Sequence, residues 1–439
     1  MVPVAAMATS APQVGDVLEL TVGEVVHGGW CVSRQDDTGL VVFVRHALPG
    51  ERVRAVVTQA TARLARAEAI EIQHASADRV TAPCRYARPG GCGGCDWQHA
   101  SLDAQRLLKA RVVRQQLSRI ACLDIDVAVE ALPGDEGGLG WRTLVSFAVD
   151  QSGVVGLRRH RSHEVVPIDR CLIAHAEVTA AAVTGTRWPG AHSVEVAVEP
   201  QTGERGVLVA GQPGLRAELP DIAVDSLQIS ARGGASGGRP RGPVPVRGRG
   251  YLTRRAAGRD WRVSLGGFWQ VHPGVADVLG EAVLAALSPR PGEVALDLYC
   301  GVGLFAGLLA EAVGPEGAVL AIEHDPAAVR DARHNLRPWP WAHVHRGDAA
   351  QVLARTGHGG ASIAVLDPPR TGVAAAVIDV LCDAASGLRR LAYVSCDPAT
   401  LARDLRRLLD GGWELTSLHG YDAFPMTHHV ECLAVLTRS

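Results

Sequence analysis

The chain has 439 residues, 47% of them hydrophobic, with 44 basic against 46 acidic side chains and a formal net charge of −2. This is length for two or three domains and apolar material for real cores, which excludes extended disorder, and the overall charge points to no particular partner. No run approaches about 18 consecutive apolar residues, and the opening MVPVAAMATSAPQ lacks the basic start and apolar core of a signal peptide. The expectation is a cytoplasmic protein, away from membranes and with no obligate protein partner.

In chain order, residues 14–73 contain five short, partly alternating segments, VLELTVGEVV, WCVSR, GLVVFVRHA, ERVRAVVTQ and ARAEAIEIQ, with HGG, QDDTG and LPG at the turns. The pattern predicts a small β-barrel of the OB-like kind, although Ig-like and SH3-like barrels pattern similarly. A cysteine-rich loop follows (81–100), then a helix over 101–120 with Ser101 as N-cap. Residues 141–230 read as mostly β, and the Gly/Pro/Arg stretch 231–250 reads as loop or disorder. From about residue 280 apolar strands alternate with helices, the rhythm of a doubly wound, mainly parallel sheet. Its end, WELTSLHGYDAF…HHVECLAVLTR, predicts an antiparallel hairpin at the sheet edge.

Charge is distributed unevenly. Residues 231–262 carry nine arginines against Asp260, and residues 100–121 carry four arginines and Lys109 against Asp103. Each stretch reads either as a polyanion-binding face or as a solvated surface. The ten cysteines, in a long chain without a signal peptide, read as metal ligands or catalysts rather than a disulfide framework.

Five motifs carry the chemistry. In LDLYCGVGLFAGLLA (296–310) a strand enters a glycine turn and a helix, and Gly301 and Gly303 allow a ligand close to the backbone. Glu323 ends the next strand, where a carboxylate can accept ribose hydroxyls, and Asp348 ends the third, where an acid can reach an adenine amine. This is the strand-end pattern of S-adenosylmethionine methyltransferases; another nucleotide-binding α/β domain is the alternative. In VLDPPRTG, Asp367 precedes two prolines and is held extended at the same rim. In VSCDPA, Cys396 ends the fifth strand just before a helix, whose N-terminus is expected to lower its thiol pKa. In FPMTHHVE, Glu431 reads as a partly buried base, and the His428–His429 pair as surface or packing. In GGFWQVHPGVADVL, Phe268 and Gln270 alternate with Trp269 and are expected to share a face, as site residues or as core.

Together FWQV (268–271), DLYCGVG (297–303), DPPR (367–370), VSCDPATLARD (394–404) and FPMTHHVE (424–431) resemble the S-adenosylmethionine-dependent RNA uracil-C5-methyltransferase family over nearly the whole chain. The resemblance implies a TRAM RNA-binding barrel (12–73), a central domain (74–265) whose helix near 100–121 packs on the catalytic domain, and a class I methyltransferase domain (266–439). It implies Cys396 as the nucleophile that adds to uracil C6 and Glu431 as the base that removes the C5 proton. Gln270, Tyr299, Glu323, Asp348 and Asp367 would contact cofactor or target base, with Phe268 lining the site. Cys84, Cys92, Cys95 and Cys171 resemble the iron–sulfur ligands of the ribosomal-RNA members; four thiolates suit a 4Fe-4S cluster and also zinc. Ribosomal RNA, 23S above all, is then the expected substrate and transfer RNA the runner-up. Three positions depart from the family pattern: Asp397 in place of asparagine, Leu304 in place of a polar residue, and the C-x7-C-x2-C spacing.

Overall fold

The structure, a computed structural model, describes residues 12–35, 39–212, 215, 219–231 and 243–438. The N-terminal strands form a six-stranded sheet in the order Val17–Thr21, Arg52–Ala60, Leu64–His74, Val41–Arg45, Trp30–Arg34, Val25–Val26. Alternation along these strands turns Val42, Val44, Val53, Ala55, Ala65 and Ala67 into one core.

The helix Leu102–Gln116 continues through a wider turn, Leu117–Ala121, with Ser101 Oγ accepting from the Ala104 N–H. It carries two apolar stripes of i, i+4 spacing, and each meets a different core. Ala104, Leu108 and Val112 join the N-terminal core, while Val113, Leu117 and Ala121 join the core of the C-terminal sheet. The helix is thus a wedge between the two ends of the chain, and truncating one of its leucines to alanine should cost about 2–5 kcal/mol.

The central region is a seven-stranded sheet followed by a hairpin, Tyr251–Ala256 with Arg259–Ser264. Of the stretch expected to be loop or disorder, residues 232–242 lie outside the described residues, but Val244–Arg247 form the outer strand of this sheet, paired with Ser226–Ala231. Among the described residues, most arginines of the two basic stretches pair with acids of this chain. On the helix, Arg106 pairs with Asp103 and Asp422, Arg111 with Glu24, and Arg114 with Asp124 and Asp126, while buried Lys109 lies 2.5 Å from Asp422. In the second stretch Arg249 pairs with Glu204, Arg255 with Asp260, Arg259 with Glu311 and Arg262 with Asp331.

The C-terminal sheet has eight strands: Ala342–Arg346, Ala318–Glu323, Val294–Leu298, Ile363–Leu366, Arg390–Ser395, Glu431–Thr437, Glu414–Tyr421 and Val129–Glu130. The first five are parallel, and Glu431–Thr437 runs antiparallel to Arg390–Ser395. The expected hairpin is present but does not form the edge: Val129–Glu130, from far upstream, adds in parallel to Glu414–Tyr421. Along Arg390–Ser395, Leu391 and Tyr393 enter the core on one face and Ala392 and Val394 the core on the other, so helices cover both faces and only the strand ends are free to act.

Candidate active site

The register of the C-terminal strands builds the site. Ser395 pairs with Cys432 at the end of the antiparallel ladder, so Cys396 and Glu431 are the next residues outward on the two strands, and the Glu431 charge bears on the Cys396 thiol. Asp367 follows the parallel neighbour strand Ile363–Leu366 on the same rim.

Electrostatics at this rim differ from the sequence expectation. Cys396 is half-buried, and its thiol is not lowered but pushed up to about 11 by burial, with Glu431 and Asp367 adding to the rise and Arg370, hydrogen-bonded to the sulfur, opposing it. The helix N-terminus that was to favour the thiolate is occupied by its own cap: Asp397 Oδ1 accepts from the N–H groups of Ala399 (3.1 Å) and Thr400 (2.9 Å). Burial disfavours charge on Asp397, but a bond to His27 at 3.4 Å and the Thr400 N–H outweigh it and hold the carboxyl at about 2. Asp397 is therefore an ionised cap paired with a residue of the N-terminal sheet. Glu431 is 3% exposed, and burial, reinforced by Asp367, raises it well above the carboxylate range against the pull of Arg370. Burial raises Asp367 to about 7.

Beside these groups lies the glycine turn. Gly301 and Gly303 sit at φ +54° and +91°, and a Cβ on Gly301 would meet nothing within 4 Å, so this turn fronts open space. Tyr299, between strand and turn, is itself at φ +67°, a strained conformation for a tyrosine, held by its N–H bond to the Ile322 carbonyl. Glu323 accepts from the N–H groups of Gly301 (3.0 Å) and Asp325 (2.7 Å), which locks the second strand's end to the turn. Asp348 is exposed, caps the helix Ala349–Thr356 through the Gln351 N–H, and its charge bears on Tyr299. The residues present fit S-adenosylmethionine: an open glycine turn, strand-end acids, and a fully buried carboxyl, Asp297, in the strand that leads into the turn. Burial lifts Asp297 to about 8. Sequence reasoning passed over Asp297, although an acid inside the apolar run EVALDLYC was its signal.

The FWQV segment departs from expectation. Phe268, Trp269 and Gln270 lie outside any strand; Phe268 is 65% exposed while Trp269 and Gln270 are both buried. Alternation does not apply there, and Phe268 does not share a face with Gln270. Arg370 was quoted in DPPR without a role, yet it is the one cation on the Cys396 sulfur among the described residues.

A second site lies in the central region. Cys84, Cys92, Cys95 and Cys171 line one cavity of about 110 Å³. Among the described residues, no three His, Cys, Asp or Glu side chains stand at metal-holding distance. The donor set nevertheless suits a thiophilic metal: burial raises Cys92 to about 11, with Cys171 and Cys84 adding to the rise, and the Gly94 N–H points at its sulfur at 3.4 Å. The loop is fixed to the central sheet by a bridge between Cys92 and Arg159.

Comparison with known proteins agrees with this layout. Residues 12–70 match the family model for the TRAM domain, residues 360–439 that for tRNA (Uracil-5-)-methyltransferase, and residues 278–366 that for Protein-L-isoaspartate(D-aspartate) O-methyltransferase. An uncharacterized RNA methyltransferase of Streptomyces avermitilis is 47% identical, with 96% of this chain and 98% of that one aligned. The 23S rRNA (uracil(1939)-C(5))-methyltransferase of Pseudomonas putida is 33% identical over 90% of this chain and 89% of its own. The crystal structure of Pyrococcus abyssi tRNA (uracil-54, C5)-methyltransferase in complex with S-adenosyl-L-homocysteine superposes with a TM-score of 0.71, covering 96% of this chain and 100% of that one at 22% identity. That likeness establishes the fold.

Proposed function

Because the chain belongs to the S-adenosylmethionine-dependent RNA uracil-C5-methyltransferases, we propose that Cys396 and Glu431 carry its reaction through a covalent adduct with the target uracil. The observation that supports this reading is the antiparallel register of Ser395 with Cys432, which leaves the thiol and the buried carboxyl as the next residues of the two strands. Uracil C5 is a poor nucleophile. Addition of the Cys396 thiolate forms an S–C6 bond and moves the C5=C6 electron pair onto C5 and O4 as an enolate. Held by the glycine turn, Glu323, Asp348, Asp367 and the strained Tyr299, S-adenosylmethionine would supply an electrophilic methyl and leave as S-adenosylhomocysteine, with Gln270 a further proposed contact. After C5 is methylated, Glu431 takes the C5 proton, the C5=C6 bond reforms and the S–C6 bond breaks. Burial raises Glu431, which makes its ionised form a stronger base for this step. Arg370 on the sulfur offsets part of the burial that opposes the thiolate. Holding the groups in place supplies rate by orientation, and a uracil must leave its stack to reach them, which favours an opened RNA segment.

RNA contact is supported away from both stretches that looked basic in the sequence. Arg66 and Arg161 lie 5.8 and 5.7 Å from the buried Trp30 ring. An open groove of about 510 Å³ beside them is lined by Arg158, Arg159, His160 and Arg161. Guanidinium groups along an open groove suit a polyanion backbone. The 23S ribosomal RNA is the substrate we favour, on the activity of the Pseudomonas putida relative, with tRNA as the second reading from the Pyrococcus abyssi fold. Cys84, Cys92, Cys95 and Cys171 would hold a 4Fe-4S cluster, or zinc, that ties the central domain together; the cytoplasm is the compartment this work requires. The test is tritiated methyl transfer to bulk RNA with mapping of 5-methyluridine. Transfer to 23S rRNA that disappears in Cys396→Ala supports the reading, and transfer that persists in the variant removes Cys396 as nucleophile.

A further inference from the structure

The cysteine-rich loop reaches the active site. Asp96, directly after Cys95, is 8% exposed. Its Oδ2 accepts from His428 Nδ1 at 2.6 Å and from the His428 N–H at 3.3 Å, and its Oδ1 accepts from Arg45 at 3.1 Å. The same loop grips the chain two residues earlier: the Asp96 and Trp97 N–H groups donate to the Met426 carbonyl at 3.0 and 3.1 Å. Met426 sits at φ +68°, and its own N–H donates to Gln105 Oε1 at 2.7 Å. A non-glycine residue keeps such a conformation only where its surroundings impose it.

From His428 the contacts continue to the thiol. The His428 and His429 rings lie 4.1 Å apart between centroids. His429 Nε2 is 3.2 Å from the Arg370 guanidinium, and since arginine can only donate, Nε2 is the acceptor. That requires a neutral His429 protonated on Nδ1, in keeping with burial and neighbouring cations that hold the ring at about 3. Arg370 is exposed, and its guanidinium bears on the Cys396 thiol through its charge and a side-chain bond. A long side chain of this kind stays on one target only if something fixes its head group.

We propose that Asp96 is a positioning residue: through His428 and His429 it holds the Arg370 guanidinium on the Cys396 sulfur. The inference rests on Cys396 as the reactive thiol and gives the cysteine-rich loop a part in its reactivity. The groups facing that thiol are Arg370, Glu431, Asp367 and the buried Cys432, and of these only Arg370 depends on the line from Asp96.

The experiment measures iodoacetamide alkylation of Cys396 in the full chain, without RNA, by peptide mass spectrometry across pH. Asp96→Asn should slow alkylation at pH 8 about tenfold and move its pH profile upward, matching Arg370→Gln, while Arg370→Lys recovers part of the rate. In methyl transfer, kcat should fall with the KM for RNA unchanged. Should Asp96→Asn fail to fold by circular dichroism, His428→Gln, which leaves Arg45 and Asp96 paired, should give the same slowing. An alkylation profile equal to that of the unaltered chain in the folded variant overturns the proposal, and so does a change in KM alone. Methyl transfer that survives Cys396→Ala would instead overturn the nucleophile assignment, so the two failures are distinct.

Discussion

Cys396 and three cysteines of the central cavity, Cys92, Cys95 and Cys171, are alike raised by burial, and their neighbours differ. Cys396 faces two carboxyls and one guanidinium, whereas Cys92 and Cys95 feel chiefly other cavity thiols, and Cys171 feels Arg142 and Cys84. A thiol among acids and a cation can be switched to thiolate as a reaction proceeds. Thiols gathered in one cavity can be held as thiolates by a shared cation. The same residue type is therefore proposed as a reagent in one place and as a ligand in the other, and the difference lies in the company each keeps.

That comparison can be broken at several points. Cys396→Ala should lower methyl transfer by about 10⁴-fold or more, measured with tritiated cofactor, while the melting temperature stays nearly unchanged. Glu431→Gln should lower turnover by roughly 10²–10⁴-fold and, unlike Cys396→Ala, should accumulate an RNA–protein adduct stable in denaturing gels. Cys95→Ser should act on the fold instead: bound metal measured by elemental analysis should drop, and stability should fall by roughly 4 kcal/mol or more if a structural metal is lost. The pH dependence has a fixed sign. A thiol raised to about 11 is almost wholly protonated at neutral pH, so Cys396 alkylation should rise about tenfold per pH unit between about pH 7 and 9; a plateau below pH 8 would mean an ionised thiol at rest. The smallest effect belongs to the cap. Asp397→Ala should cost about 0.5–2 kcal/mol in thermal unfolding, and Asp397→Asn less, because asparagine also caps.

Much of the site was legible in the sequence because strand ends are. Apolar runs that stop at Glu323, Asp348, Asp367 and Cys396 place those residues on one rim once the sheet is known to be parallel. What escaped was long-range pairing. No local pattern shows that Val129–Glu130 joins the C-terminal sheet, that Asp96 meets His428 across more than three hundred residues, or that His27 reaches Asp397. Charge misled for the same reason: Arg111 and Arg262 look free in the sequence, and their partners Glu24 and Asp331 lie elsewhere in the chain. Phe268 misled differently, since period-2 reasoning holds only inside a strand.

The central claim is that Cys396 bonds to the target base opposite Glu431. RNA carrying 5-fluorouridine tests it directly, because fluorine at C5 leaves no proton for the base to remove and the S–C6 bond cannot be released. Incubation with S-adenosylmethionine should give a protein–RNA band stable to denaturation, with the nucleotide mapped by mass spectrometry to Cys396. An adduct on another residue, or no adduct from a preparation that methylates unmodified RNA, would contradict the account.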